Sequence, residues 1–273
     1  MERTYDEIVR QTRDFVHGAG FDDVVVGLSG GIDSSVVAAL AVEALGASHV
    51  HGVLMPGPYS TEHSVVDAEQ LAANLGIKAP RMPITRAYDA FVHVFADANQ
   101  GVLTGLAAEN TQARCRMVIL MALSNAHRWL VLNTGNRSEA YMGYSTLYGD
   151  TAGAFAPIGG LLKTQVYMLA RVANARAEAA GRVAPIPTNV LTKAPSAELA
   201  PGQVDEASMG IDYPTLDGIL AAHLDRGLDA GALVKAGFDA EQVSYVLGRA
   251  EATAFKRALE PPFAVPPALN SKP

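Results

Sequence analysis

A β-branched run leads through adjacent glycines directly into a helical pattern at residues 24–40, VVVGLSGGIDSSVVAAL. A strand, a glycine turn and a helix in this order gather backbone N–H groups, small side chains and the positive end of a helix around one space. The stretch therefore predicts an anion site, and phosphate is the anion that such turns most often hold.

The spacing of the glycines excludes two common phosphate loops. Gly27, Gly30 and Gly31 do not form GxGxxG, and no lysine stands where GxxxxGK[ST] requires one. Asp33 adds a second constraint, because a carboxylate beside phosphate repels it unless a divalent cation lies between them. The alternative is that Asp33 and Ser34 only cap the helix.

Strand-like and helical segments alternate through the first two thirds of the chain, which favours a doubly wound parallel α/β sheet with helices on both faces. The predicted strands are 22–29, 49–56, 80–84 and 129–136, and the predicted helices are 4–17, 33–45, 60–77, 86–98, 107–127, 163–180, 212–226 and 239–256. We expect one domain over residues 1–273, with an α/β core at about 20–200 and a helical part with an extended tail at about 201–273.

Composition excludes several classes of protein. The net charge is −7, and the only basic cluster near the C-terminus is Lys256-Arg257, so we expect no nucleic acid partner. The single cysteine, Cys115, forms no intramolecular disulfide. The charged N-terminus lacks a signal-peptide core, and no apolar run is long enough to span a membrane. We therefore expect a soluble cytoplasmic protein.

The segment SGGIDSS resembles the pyrophosphate loop of the N-type ATP pyrophosphatases. This motif alone leaves open the synthetases of GMP, argininosuccinate, asparagine and NAD, as well as tRNA-modifying enzymes. Three later regions narrow the choice, because the order of these motifs resembles that in NAD synthetase. Their sequences are closest to the synthetase part of the glutamine-dependent enzymes. These regions are ENTQARCRM, NTGNRSEAYMGYSTLYGD with APIGGLLKTQVY, and LTKAPSAEL. The resemblance covers roughly residues 20–260.

The resemblance implies ATP-dependent amidation of deamido-NAD to NAD by ammonia, through an adenylated intermediate, with release of AMP and pyrophosphate. It implies an adenine nucleotide alpha-hydrolase-like fold and Mg²⁺ bound by Asp33 and Glu139. The implied ATP contacts are Gly27, Leu28, Ser29, Gly30, Gly31, Ile32, Asp33, Ser34, Met55, Thr134, Lys163 and Ser196. Three other interpretations stay open: Glu139 as a capping residue, Lys163 as a solvated side chain, and Met55 as core packing.

The resemblance also implies that Arg114 and Lys256 contact deamido-NAD. Three positions depart from the family pattern. Phe255 replaces the histidine that often precedes the lysine, and Leu147 and Ala154 replace a lysine and an aspartate of the short ammonia-dependent enzymes. The resemblance therefore assigns no contact with deamido-NAD to Leu147 or Ala154.

No Ser-His-Asp or Cys-His set is recognisable, so we expect no covalent enzyme nucleophile. Cys115 lies mid-helix between two arginines, where a buried structural thiol is expected. The loop at 144–162 is expected to close over the intermediate and exclude water.

The family resemblance implies a homodimer. Only residues 1–21 precede the first predicted strand, so we expect no glutaminase domain in this sequence. The nitrogen source is then either free ammonia or a separate glutaminase chain. Two rival functions remain: another adenylating amidotransferase of the same fold, or a silent sensor of ATP or NAD.

Overall fold

The computed structural model describes residues 1–98 and 100–266. The α-helices are α1 Glu2–Gly18, α2 Ile32–Leu45, α3 Glu62–Leu75, α4 Thr85–Asp97, α5 Gly105–His127, α6 Arg137–Met142, α7 Lys163–Ala179, α8 Thr188–Thr192, α9 Asp205–Met209, α10 Tyr213–Leu220, α11 Ala230–Lys235, α12 Ala240–Ala252 and α13 Ala254–Arg257. The end of the predicted extended tail, 267–273, lies outside the described residues.

Three parallel strands form the sheet: β1 Val24–Gly27, β2 Val50–Val53 and β3 Leu130–Val131, in the order β2-β1-β3. The three valines of β1 have no exposed side-chain surface, as expected for a strand covered on both faces. The predicted parallel α/β architecture is confirmed, and the carboxyl ends of the strands meet at one edge.

The predicted strand at 80–84 is wrong as a continuous element. The chain from Lys78 to Met82 runs beside β2, where Gly52 N–H donates to Lys78 O and Met82 N–H donates to Leu54 O, but only isolated bridges form. Pro80 and Pro83 have no N–H group, so a regular ladder cannot develop. Phe155 extends the other edge in the same way, through a parallel bridge to Leu132.

Helices cover both faces of the sheet. The helices α1, α2 and α7 pack together on one face, and α5 with α4 covers the other. The helix α2 is buried almost all round because it lies between the sheet and its neighbours. No helix in the described part of the chain is long and apolar enough to cross a membrane.

The C-terminal helices have a second apolar core, centred on α10 and α12. The predicted helix 212–226 leaves α-geometry after Leu220 and continues as a π-helical turn, Ala221–Asp225. The predicted helix 239–256 is divided at Thr253, whose hydroxyl donates to Arg249 O. Arg249 donates to Met142 O and joins this part to α6, beside the sheet.

Candidate active site

The turn after β1 is built from backbone and small side chains. Ser29 Oγ accepts the N–H of Gly31 at 3.1 Å, and the hydroxyls of Ser29 and Ser34 lie 3.0 Å apart. Gly30 has φ of +76°, and a Cβ on it would collide with the carbonyl of Ser64 in the first turn of α3. A glycine is therefore required at this position, and the turn is packed against the start of α3.

Lys163 lies at the first residue of α7 and is buried, with 1% of its surface exposed. Its Nζ donates to Asp33 Oδ2 at 2.7 Å and to Glu139 Oε1 at 2.8 Å. Asn136 donates to the other oxygen of Asp33 at 2.9 Å. Lys163 is therefore not a solvated side chain, and three distant segments converge beside the glycine turn.

The position of Lys163 is fixed from behind by α10. Asp217 accepts the N–H of Thr164 at 2.7 Å, and Ser138 accepts the N–H of Lys163 at 2.9 Å while donating to Asp217. These bonds satisfy two of the free N–H groups at the start of α7. The ammonium is consequently held where it bridges the two carboxylates.

The cluster is electrostatically coupled. Burial alone lowers the pKa of Lys163, but Asp33 and Glu139 reverse this and raise it, so the ammonium stays charged. Burial raises the pKa of Glu139, against the attraction of Lys163 and with a further rise from Asp33 and Asp205. Burial likewise raises the pKa of Asp205, whose Oδ2 accepts a hydrogen bond from Tyr213.

This donor set fits a magnesium ion bound together with a nucleotide. Mg²⁺ is commonly held by one or two carboxylates, and phosphate oxygens and water complete its octahedron. Asp33 and Glu139 supply two carboxylates that share a single ammonium. Among residues 1–98 and 100–266, no three His, Cys, Asp or Glu side chains already converge as a complete metal site.

These groups open onto a cavity of about 550 Å³. Most of the predicted ATP and metal contacts line it: Gly27, Leu28, Ser29, Gly31, Ile32, Asp33, Ser34, Met55, Thr134, Glu139, Lys163 and Ser196. Gly30 is covered by Ser64 and does not line the space. The hydroxyl of Ser196 donates to Gln203 O at 2.6 Å, within its own loop.

The two predicted substrate contacts lie outside the cavity lining. Arg114 is exposed on α5, and its Nε donates to Leu147 O at 3.1 Å. Lys256 donates to Gly143 O at 2.8 Å and to Ser145 O at 2.6 Å. Arg116 lines the cavity instead, because two helical residues turn the side chain by about 200°.

Leu147 and Ala154, two of the three departures from the family pattern, also lie away from the cavity. Ala154 pairs with the end of β3 through its N–H and the carbonyl of Val131, and neither it nor Leu147 is a lining residue. The second half of the 144–162 loop is part of the core, since Ile158 and Leu161 are fully buried. The predicted closure therefore cannot involve the second half of the loop and stays a prediction for residues before Phe155.

Asp150, in that first half, is exposed to the cavity. Enclosure by the surrounding protein raises the pKa of Asp150 to about 6, although the N–H of Thr146 donates to its Oδ1 at 2.6 Å. This carboxylate therefore changes charge near neutral pH, inside the site.

Several site residues were not identified from the sequence. Asn136 belongs to the NTGN segment and could have been found as a neighbour of Thr134. Asp205 and Tyr213 carry no local signal, because only the tertiary fold brings them to Lys163. The expectation for Cys115 is confirmed, since it is 3% exposed and burial raises the pKa of its thiol.

The family described as NAD synthase matches residues 4–260 of this chain. The glutamine-dependent NAD(+) synthetase of Synechocystis sp. is 45% identical over 260 residues, which are 94% of this chain and 45% of that protein. The NH(3)-dependent NAD(+) synthetase of Halobacterium salinarum is 41% identical over 94% of this chain and 91% of its own length. The chain thus spans about half the length of the glutamine-dependent relatives that it matches.

Among solved structures, the NMN synthetase of Francisella tularensis superimposes with a TM-score of 0.74 and is 31% identical, covering 92% of this chain and 94% of that one. The sequence match extends over nearly the whole chain, and the glycine turn and its neighbouring carboxylates lie together at the strand ends. The chain belongs to the NAD synthase family.

Proposed function

We propose that this chain converts deamido-NAD to NAD, using ATP and ammonia and releasing AMP and pyrophosphate. The observation that carries the proposal is the cluster of Lys163, Asp33 and Glu139 directly beside the glycine turn. A turn for phosphate, two carboxylates for a hard cation and a buried ammonium are the groups that nucleotidyl transfer requires.

The reaction needs activation of a carboxylate, because its oxygen is a poor leaving group. The acceptor oxygen attacks the α-phosphorus of ATP, an O–P bond forms, and pyrophosphate departs. The backbone N–H groups around Gly31 and the ammonium of Lys163 stabilise the negative charge on the departing group. Asp33 and Glu139 would hold Mg²⁺, which would neutralise part of the charge on the phosphates.

Ammonia then attacks the activated carbonyl, a C–N bond forms, and AMP leaves with the former carboxylate oxygen. At neutral pH the available species is mostly ammonium, which must lose a proton before it can attack. Asp150 is the cavity carboxylate whose pKa of about 6 suits it to accept that proton. No enzyme nucleophile is needed in either step.

The nitrogen source is proposed as free ammonia. The Halobacterium salinarum relative that matches over 91% of its own length is an NH(3)-dependent enzyme, which supports this choice. A separate glutaminase chain that delivers ammonia is the alternative. The two differ in whether glutamine alone sustains the reaction of the purified chain.

The acid form of NMN is a second candidate acceptor, to be compared with deamido-NAD. The neighbour of Francisella tularensis is an NMN synthetase, and Leu147 and Ala154 stand away from the cavity lining. An acceptor without the second nucleotide half needs no contacts from those positions. The ratio of kcat/KM for deamido-NAD and the mononucleotide distinguishes the two functions.

We also propose a homodimer that buries the apolar face of α4 and α5. Exposed apolar side chains lie on these two neighbouring helices: Phe91, Val94, Phe95, Leu106, Val118 and Met121. Val94 and Val118 are 64% and 65% exposed, and the two helices that carry them pack against each other. Light scattering after gel filtration should give twice the chain mass, and Val118→Glu should give the monomer.

Purified protein with Mg²⁺, ATP and deamido-NAD, supplied with either ammonium or glutamine, tests the proposal. A coupled dehydrogenase reports NAD. NAD from ammonium but not from glutamine is the expected result. If neither supports NAD formation while ATP still binds, the acceptor is another carboxylate or the chain is a sensor.

A further inference from the structure

Arg116 and Lys193 are the two cavity cations without a role in the proposed reaction, and Lys193 is already paired with Asp67. Arg116 lies on α5, lines the cavity, and donates from Nε to the carbonyl of Met55 at 3.0 Å. Gly57 leaves room for the guanidinium, because a Cβ there would stand 2.9 Å from Arg116 Nη2. The side chain is therefore held in one place at the end of β2.

The remaining donors of Arg116 have no partner among residues 1–98 and 100–266. Within the described ranges, no carboxylate forms an ion pair with it, and Nη1 and Nη2 have no hydrogen-bond acceptor. Burial lowers the pKa of Arg116, while the negative charges of Asp150 and Glu198 raise it. Both carboxylates have oxygens that accept hydrogen bonds elsewhere, from Thr146 and from Thr61.

Arg116 is half-buried, and a guanidinium that lines a cavity with two free donors favours an anionic partner there. Because Nε is already bound, Nη1 and Nη2 remain available to one anionic group with two oxygens. A phosphoryl group and a carboxylate both meet this requirement. The position of Arg116 within the cavity distinguishes them.

Arg116 is anchored to Met55, a residue whose side chain contacts the first glycine of the phosphate turn. The carbonyl that it binds belongs to Met55, whose Cε lies 2.9 Å from the place that a Cβ on Gly27 would occupy. Asp150 and Glu198 are the carboxylates that raise the pKa of Arg116. A different set, Asp33, Glu139 and Asp205, raises the pKa of Lys163. Three lysine and arginine side chains line the cavity: Lys163 lies beside the metal carboxylates, Lys193 pairs with Asp67 at 2.8 Å, and Arg116 is in neither pair.

We propose that Arg116 binds the phosphoryl group of the nucleoside monophosphate, the part of ATP that stays with the acceptor after pyrophosphate has left. This inference rests on the proposed function and extends it, by dividing the phosphates of ATP between two cations. Lys163 stabilises the negative charge of the departing pyrophosphate, and Arg116 stabilises that of the α-phosphoryl group. Arg116 also fixes the Met55 carbonyl at the edge of the same pocket.

The test is the affinity of the protein for AMP and for pyrophosphate, each measured alone by calorimetry with Mg²⁺ present. Arg116→Gln should weaken AMP binding about tenfold or more, since a bidentate charge-assisted contact is lost, and should change pyrophosphate binding less than about twofold. The AMP affinity of Arg116→Lys should lie between those of Arg116→Gln and the wild type. Arg182→Gln, which removes an exposed arginine after α7 that does not line the cavity, should change neither affinity.

A purely structural role of Arg116 would weaken both ligands together, and that result overturns the proposal. Unchanged AMP affinity with a raised KM for the acceptor also overturns it, and assigns Arg116 to the acceptor carboxylate. Guanidinium ion added to Arg116→Ala should restore AMP binding without affecting pyrophosphate. If wild-type protein binds AMP but forms no NAD, the proposed function fails while this inference stands.

Discussion

Lys163 donates a hydrogen bond of 2.7 Å to Asp33, although 130 positions separate them in the sequence. The same ammonium reaches Glu139, so one buried cation neutralises both carboxylates that are proposed to bind Mg²⁺. The ammonium and the proposed Mg²⁺ would consequently share the same pair of carboxylates. In the protein without nucleotide, the ammonium compensates the charge of these two carboxylates.

Lys163→Met should lower kcat at least about 100-fold, because the charge that stabilises departing pyrophosphate is lost. It should also lower the free energy of unfolding by about 3 kcal/mol, since two enclosed carboxylates lose their cation. Mg²⁺ should then raise the melting temperature more in the variant than in the wild type, as measured by thermal unfolding with and without the metal.

Lys235→Met is the matched control, since it removes an exposed lysine at the end of α11. It should leave both kcat and the effect of Mg²⁺ unchanged. An equal or smaller effect of Mg²⁺ on Lys163→Met than on the wild type would contradict a shared ligand pair.

Gly30→Ala should abolish ATP binding and lower the free energy of unfolding by about 3 kcal/mol or more in a urea titration. The left-handed φ alone costs about 1–2 kcal/mol, and the new Cβ also collides with the carbonyl of Ser64. Gly20→Ala separates the two effects, because Gly20 has φ of +78° with no atom near its Cβ position. Equal losses in the two variants would show that the close packing against α3 is unimportant.

Much of this geometry follows from the sequence. The glycine turn at 27–34 and the carboxylate in NTGNRSE were predicted at neighbouring strand ends, and parallel topology then requires them to meet. Their placement at strand ends follows from the alternation of strand and helix, whereas the metal-binding role of Glu139 is implied by the family resemblance. The predicted metal ligands Asp33 and Glu139 accordingly lie together, bridged by Lys163.

Other features could not be found in this way. Arg114 and Arg116 are indistinguishable as residue types, and only the rotation of α5 decides which one faces the cavity. Asp205 and Tyr213 lie in the C-terminal helical part and reach Lys163 through tertiary packing alone. The strand predicted at 80–84 failed because two prolines limit its hydrogen bonds to isolated bridges.

The activity should depend on pH through Asp150. The pKa of Asp150 is raised from 3.8 to about 6, so kcat/KM for ammonium should rise as pH increases through about 6, when the carboxylate loses its proton. Asp150→Asn should remove this limb of the profile and lower the rate at pH 8. Asp22→Asn, at an exposed position, should keep the wild-type profile.

The contribution of Asp150 to stability should fall as pH rises, whereas the activity rises. Between 3.8 and about 6 the native state binds more protons at Asp150 than the unfolded chain does, so its contribution to the free energy of unfolding falls as pH rises. Asp150→Asn should therefore gain stability relative to the wild type across this window. Urea titrations at pH 4.5 and pH 7 compare the two proteins, and a constant difference would be inconsistent with the raised pKa.

Glu198 joins the loop that carries Ser196 to the start of α3, where Thr61 and Ser64 donate three hydrogen bonds to its carboxylate. Glu198→Ala should raise the KM for ATP by about 3–10-fold while kcat changes less than about twofold, because two walls of the cavity lose their connection. Initial rates at varied ATP measure both. Glu178→Ala, on an exposed part of α7, serves as the control, and an unchanged KM in Glu198→Ala would be the contrary outcome.

The path of one oxygen atom tests whether the acceptor carboxylate is adenylated. Deamido-NAD labelled with ¹⁸O in its carboxylate is incubated with protein, Mg²⁺, ATP and ammonium, and the products are separated for mass spectrometry. Activation by adenylation predicts one ¹⁸O in AMP for each NAD formed and none in pyrophosphate. Label in inorganic phosphate, with ADP as the other product, would show that the acceptor is activated by a different phosphoryl transfer and would contradict the account.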